Sequence, residues 1–201
     1  MSERPIGIRP ATRERWDDLV AVMNGCSYGR KCWCAYWYLS NKDYRAGWGE
    51  QNRETLEWLV WSGKEPGIIA YVDEQPAAWV SVAPRTAFDR LNRSKNFAPL
   101  DDLPVWAVNC FVVAAPFRRQ GLMARLALGA AEFAFSKGAP AVEAYPMEPS
   151  EKSGSGDLYL GTVNAFARAG YREVARPLPR RPVMRLNAPA WQDQASGFPQ
   201  V

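Results

Sequence analysis

The stretch Val105-Trp-Ala-Val-Asn-Cys-Phe-Val-Val-Ala-Ala-Pro-Phe-Arg-Arg-Gln-Gly-Leu-Met-Ala124 reads as three pieces in succession. Val105 to Val113, rich in Val, Phe and Trp, predicts a buried central strand. Pro116 to Gln120 is a tight turn. Gly121 opens a helix that runs to Ser136 with Leu122, Leu126, Ala130 and Phe133 on one face. The start of a helix leaves backbone N–H groups unpaired and carries the positive end of the macrodipole, so it binds anions without a dedicated side chain. Gly121 would let such an anion come close to the backbone. Arg118 and Arg119 stand at the same end, where cations oppose the dipole; a bound pyrophosphate would explain them, and a solvated turn is the plain alternative. With Gly121 as its single glycine, the stretch is no dinucleotide fingerprint, which needs three.

Upstream, Ile6 to Arg9 is a strand, and Thr12 caps a helix through Trp16, Leu19, Val20 and Met23. Glu50 to Ser62 is a second helix, with Leu56, Leu59 and Val60 inward and Gly63 at its C-terminal cap. Ile68 to Val72 and Ala77 to Ala83 form a hairpin around Asp73 to Pro76. Arg85 to Pro104 is a polar connection, long enough to be either functional or partly helical. Downstream of the central helix come a strand over Ala141 to Tyr145, a helix over Thr162 to Ala169, and strands over Tyr171 to Ala175 and Pro182 to Leu186. The loop Pro146 to Asp157 lacks the Gly-Lys-Ser pattern of a phosphate-binding loop. This order predicts one mixed α/β domain over residues 1–186 and an irregular tail over 187–201.

Composition narrows the function classes. With 201 residues and 47% hydrophobic content the chain can bury one sizeable core. Its net charge of +4 comes from 25 basic and 21 acidic residues spread along the chain, which does not point to nucleic acid. Met1 to Asp18 is charged and interrupted by Pro5 and Pro10, unlike a secretory leader, and no apolar run reaches the roughly 18 residues of a membrane span. The expectation is a cytoplasmic protein with no membrane partner, in which Cys26, Cys32, Cys34 and Cys110 are free thiols. Cys26, Cys32 and Cys34 could offer three thiolates where structural zinc takes four ligands, and the chain has no histidine, so no metal is expected. The lack of histidine also removes Ser-His and Cys-His nucleophilic schemes.

On these residues the chain resembles the GNAT superfamily of N-acetyltransferases. The family's cofactor motif is Arg or Gln, two residues, Gly, one residue, then Gly or Ala; Arg118 and Gly121 meet it, and Met123 departs from it. Ile8-Arg9-Pro10-Ala11-Thr12 is similar to the family's opening strand and cap, and Asn164 to Tyr171 to its later Asn...Tyr-x-x-x-Gly-Phe segment, so the resemblance covers residues 6–186. It implies a GNAT-type fold: a mixed, mostly antiparallel central sheet flanked by helices and splayed between its two central strands. It implies acetyl-CoA as cosubstrate, with Phe111, Val112 and Val113 along the pantetheine arm and Arg118, Arg119, Gln120, Gly121, Leu122, Met123 and Ala124 around the pyrophosphate. Asn164 and Phe166 would stand beside the cofactor. The reaction implied is direct attack by the amine of a small molecule in a ternary complex, with the oxyanion held by a backbone N–H near Val113. The resemblance leaves a homodimer open.

The proton chemistry is less plain. An alkylamine of pKa about 10.4 is neutral in only about one molecule in a few thousand at neutral pH, so a base or a desolvating pocket is expected. Glu143 is the first candidate base, because its strand should lie beside the acceptor; an outward-facing edge charge is the other reading. Asp101 and Asp102 come second. The family's tyrosine acid falls on Phe166, which cannot donate a proton. Tyr145 and Tyr159 are the nearest substitutes by position, unless the thiolate leaves unaided. The aromatic run Tyr28 to Trp48, with Trp33, Trp37 and Tyr38 as its foremost members, would wall the acceptor side by stacking or cation–π contact, or else form a second hydrophobic cluster. Two other functions stay in view. Acetylation of a protein or peptide amine would favour an open acidic groove, and a non-catalytic acyl-CoA-binding regulatory module would accord with Phe166.

Overall fold

Alternation along neighbouring strands builds the core of the protein, seen in a computed structural model that describes residues 4–149 and 155–189. The strands are β1 (Ile6–Pro10), β2 (Gly67–Val72), β3 (Gln75–Pro84), β4 (Trp106–Val113), β5 (Ala141–Ala144), β6 (Arg172–Leu178) and β7 (Arg181–Asn187). They form one sheet in the order β1-β2-β3-β4-β5-β7-β6. Every pairing is antiparallel except that of β4 with β5. The helices are α1 (Trp16–Asn24), α2 (Gly29–Cys32), α3 (Asn41–Ala46), α4 (Glu50–Trp61), α5 (Asp89–Asn92), α6 (Leu122–Ser136) and α7 (Val163–Arg168).

Ile68, Ala70, Val80 and Val82 project to one face of the sheet, where Leu126, Ala130 and Ala134 of α6 and Phe166 of α7 cover them. Ile69, Tyr71 and Trp79 project to the other, against Leu19 and Met23 of α1 and Leu56 and Leu59 of α4. The two-residue period of a strand thus serves two helical layers at once, and all six residues of β2 are buried.

Local readings hold with shifted edges. Thr12 precedes a 3-10 turn over Arg13–Arg15 and α1 starts only at Trp16, so Val22 takes the buried place expected of Val20. The β2–β3 turn is shorter than expected: Asp73 and Glu74 both have positive φ, 50° and 61°, the two-residue geometry that matches strand twist, and β3 already begins at Gln75. The polar connection after β3 contains a 3-10 turn over Arg85–Ala87 and α5. β7 runs through Asn187, and the Ala188 amide bonds the Pro140 carbonyl. The expected tail falls outside the described residues from position 190 on.

Two irregularities in β4 position the site. Its register with β3 passes from Val108 opposite Val82 to Cys110 opposite Ser81, so Asn109 is an extra, bulged residue. The bulge sends Val108 and Phe111 to the same face, although three positions separate them. Second, β4 and β5 pair only from Trp106 with Val142 to Val108 with Ala144, after which β4 continues to Val113 paired with β3 but not with β5. The sheet is splayed at that point.

Candidate active site

A cavity of ≈ 890 Å³ is lined by Cys110 to Val113 of β4, the turn and first residues of α6, and the segment between α1 and α4. The α6 end is bare. Gly121 is the N-cap with φ 77°, no side chain caps it, and no acidic residue stands in the first turn. Ala124 N–H takes the Gly121 carbonyl, while the amides of Arg119 to Met123 make no such backbone bond among the described residues. A Cβ added to Gly121 would meet nothing within 4 Å, so open space lies beside the N-cap. Arg118 Nε donates to the Val113 carbonyl at 3.2 Å and Gln120 Nε2 to the Pro116 carbonyl at 3.0 Å, which fixes the turn against the strand end. Donor amides, a helix dipole and two exposed arginines converge on one place, a fit for a diphosphate.

Opposite stand Tyr28, Tyr36, Trp37 and Tyr44, with Tyr159 and Leu158 closing the wall. Trp33 and Cys34 both adopt left-handed backbone, φ 50° and 52°, at a cost of about 1–3 kcal/mol each. That double kink turns Trp33 into the core beside α1 and leaves Trp37 on the cavity. Tyr38 is not among the lining residues; its hydroxyl pairs with Ser81 Oγ at 3.3 Å. Tyr28, Tyr36 and Tyr44 belong to the aromatic run but not to its three foremost members. Aromatic density marked the segment, but a chain kinked by two left-handed residues has no periodicity from which to read facing.

Four cysteines line the same cavity. Cys34 Sγ donates to Cys110 Sγ at 2.7 Å, and all four thiols are free. Burial pushes the Cys32 thiol up to about 12, and the bond to Cys34 together with burial raises Cys110 well above its usual value. Protonated thiols are poor nucleophiles and poor metal ligands. Among the described residues no group of three or more His, Cys, Asp or Glu could hold a metal ion, and no helix is long and apolar enough to cross a membrane.

Of the other cofactor candidates, Phe111, Val112, Val113, Leu122 and Met123 line the cavity with Arg118, Arg119 and Gly121. Met123 also packs against the core, as its length allows. Gln120, Ala124 and the exposed Asn164 are not in the wall. Phe166 is fully buried, edge-on to Phe111 at 5.7 Å and to Tyr171 at 5.0 Å. It supports Phe111 from behind.

Glu143 and Tyr145 lie elsewhere. Glu143 is 2% exposed and pairs with Arg185 at 2.6 Å, so it is neither an edge charge nor in the cavity wall. Tyr145 donates to Glu143 at 2.8 Å and accepts from Arg85 at 2.6 Å. Burial, then the Glu143 charge, push its phenol up. Asp101 is held by Arg185 at 2.6 Å, and that bond lowers its carboxyl below the usual range, which weakens it as a base. Tyr159 is the named acid candidate that does line the cavity, and burial raises its phenol as well.

The family profile described as Acetyltransferase (GNAT) family matches residues 33–155, more than half of the chain. No curated protein matches the sequence. Among solved structures, the PaiA N-acetyltransferase from Thermoplasma acidophilum in complex with coenzyme A aligns with TM-score 0.51 and 14% identity over 92% of this chain and 99% of its own. The aminoglycoside acetyltransferase AAC(6')-Ib in complex with coenzyme A aligns with TM-score 0.54 and 15% identity, over 95% and 99%. The Drosophila melanogaster polyamine N-acetyltransferase aligns with TM-score 0.56 and 13% identity, over 92% and 100%. Identities this low speak for the shared fold.

Proposed function

Because the chain belongs to the GNAT family of acetyltransferases, enzymes that use acetyl-CoA as cosubstrate, we propose that it transfers an acetyl group from acetyl-CoA to the amine of a small molecule. One observation carries the reading: a single cavity joins the bare amides at the start of α6 to an aromatic wall across the splay of β4 and β5. Arg118, Arg119 and the amides through Met123 hold the pyrophosphate, and the backbone of Phe111 to Val113 follows the pantetheine arm. Small-molecule acceptors agree with the aminoglycoside and polyamine enzymes among the structural relatives. We assign the activity to one domain over residues 1–186 and the location to a reducing cytoplasm, in keeping with free thiols.

The chemistry is positioning above all. The acceptor amine enters between Trp37 and Tyr159, where apolar walls favour its neutral form. Its nitrogen attacks the thioester carbon; the C–N bond forms, the C–S bond breaks, and aligned reactants gain an effective molarity on the order of 10^5 to 10^8 M. A backbone N–H near Val113 holds the oxyanion. Tyr159, kept protonated by burial, gives a proton to the departing thiolate, and the proton that the attacking nitrogen loses returns to the Tyr159 oxygen. The test is thiol release from acetyl-CoA across an amine panel. Tight coenzyme A binding with no release from any amine would favour a non-catalytic module instead.

A further inference from the structure

A second cavity, ≈ 500 Å³, shares Tyr36, Trp37 and Tyr159 with the first. Its remaining wall includes Arg90, Arg93 and Arg181, and among the described residues neither cavity is lined by any carboxylate. Arg93 has a partner in Asp89 at 3.2 Å. Among the described residues no carboxylate pairs with Arg90 or Arg181. Arg90 Nη1 donates to the Asn41 side-chain carbonyl, and Arg181 Nη2 to the Tyr145 carbonyl at 3.4 Å. Nε of both residues and Nη2 of Arg90 are enclosed and without a hydrogen-bond partner.

Their flat faces are already used. Arg90 lies over Tyr36 at 4.0 Å and Arg181 over Phe97 at 5.2 Å. Stacking orients a guanidinium but leaves its N–H edge unpaired, and a carboxylate or phosphate meets that edge in the bidentate geometry in which arginine binds best. Two partly buried cations in one cavity repel each other, and a charge withdrawn from water is costly unless an opposite charge meets it. Burial accordingly lowers the Arg181 guanidinium below its ordinary value. Arg85, which donates to the carbonyl of the wall residue Phe97, adds a third cation whose hydrogen bonds among the described residues go to neutral groups, the Tyr145 hydroxyl and the carbonyls of Leu91 and Phe97.

Resting on the acetyltransferase reading above, we propose that the acceptor is an amine whose other end carries an oxyanion, a carboxylate or a phosphate, bound by Arg90 and Arg181 while its amine reaches the first cavity past Tyr159 and Trp37. Three arginines and, among the described residues, no acid in the wall make this a poor site for a polycation, so the acceptor class differs from the aminoglycosides and polyamines named for two of the structural relatives.

Thiol release is measured with pairs that differ in the anion: para-(aminomethyl)benzoate against benzylamine, phenylalanine against phenethylamine, and phosphoethanolamine against ethanolamine. At least one anionic member is expected to exceed its partner in kcat/KM by about tenfold or more, as for a charge-assisted contact, and the ratio is expected to fall towards one in Arg181→Gln and in Arg90→Gln. The pair that responds tells carboxylate from phosphate. Equal rates, or preference for the partner lacking the anion, would overturn the proposal. A second readout is independent of turnover: calorimetric binding of para-(acetamidomethyl)benzoate and of its amide to the protein with coenzyme A present. Tighter binding of the carboxylate, lost in Arg181→Gln, supports the anion site even if no amine is acetylated, a result that would sink only the catalytic reading. Equal binding of acid and amide, with no anionic pair preferred, rejects the site itself.

Discussion

Arg185 stands between two carboxylates, 2.6 Å from Glu143 and 2.6 Å from Asp101, and ties β7 both to β5 and to the connection that precedes β4. A base needs a free lone pair near its substrate, and both Glu143 oxygens are engaged, one by Arg185 and one by Tyr145. Removing one partner of a buried pair costs about 3–5 kcal/mol. Glu143→Ala is expected to lose less than that in a urea titration, because Arg185 keeps Asp101 at 2.6 Å, while the pH–rate profile of Glu143→Gln keeps its shape. Loss of the acidic limb of that profile in Glu143→Gln would return Glu143 to the role of general base.

Asp101 links the same network to acid stability. Its folded pKa is lowered by the Arg185 bond, so its contribution is present above the unfolded value of about 3.9 and is lost as pH falls through the folded one. Asp101→Asn is expected to lower stability at neutral pH and to flatten its decline below about pH 4. Denaturation midpoints collected from neutral to acid pH read this directly.

Gly121 combines φ 77° with open space where a side chain would go. Gly121→Val should therefore strain the turn by about 1–3 kcal/mol and place a branched side chain in the open space at the helix start. Coenzyme A affinity is expected to fall by about tenfold or more, measured by calorimetry on protein still folded by circular dichroism. Unchanged affinity would rule out the cradle.

Tyr159→Phe removes the proposed proton donor without removing the ring. General acid catalysis contributes about 10^2 to 10^4-fold, so kcat should drop within or below that range while KM for acetyl-CoA changes little. Because burial raises the phenol above its ordinary value, Tyr159 stays protonated to beyond about pH 10. The wild-type rate should then show no alkaline loss from this group below that pH. A wild-type alkaline limb near neutrality that vanishes in Tyr159→Phe would contradict the assignment.

The four thiols should separate by reactivity. Cys26 is partly exposed, whereas Cys32 and Cys110 are buried with raised pKa values. Iodoacetamide at mildly alkaline pH is expected to label Cys26 first, and coenzyme A to slow that labelling, because Cys26 lines the same cavity. Peptide mapping by mass spectrometry gives the order; indifference of Cys26 to coenzyme A would separate it from the cofactor channel.

Much of the fold was legible because its signals are local. The β2 and β3 alternation, the Leu122 to Phe133 face of α6 and the glycine at position 121 each follow from the chemistry of a few neighbouring residues. So did the unpaired amides at the turn after Arg118, since orphan amides belong to every helix start. What the linear chain by itself did not carry is where distant segments meet. Asn109 as a bulge depends on the register β4 takes against β3, and Glu143 as a buried ion pair depends on Arg185 arriving from β7. The turning of Trp33 inward, and the convergence of Arg90 and Arg181 on one cavity, depend likewise on a kink and on packing between elements far apart in the chain. Periodicity and capping act over a few residues, whereas charge compensation and cavity walls are set by whichever side chains the closed sheet and its helices bring together, and only the tertiary structure decides those.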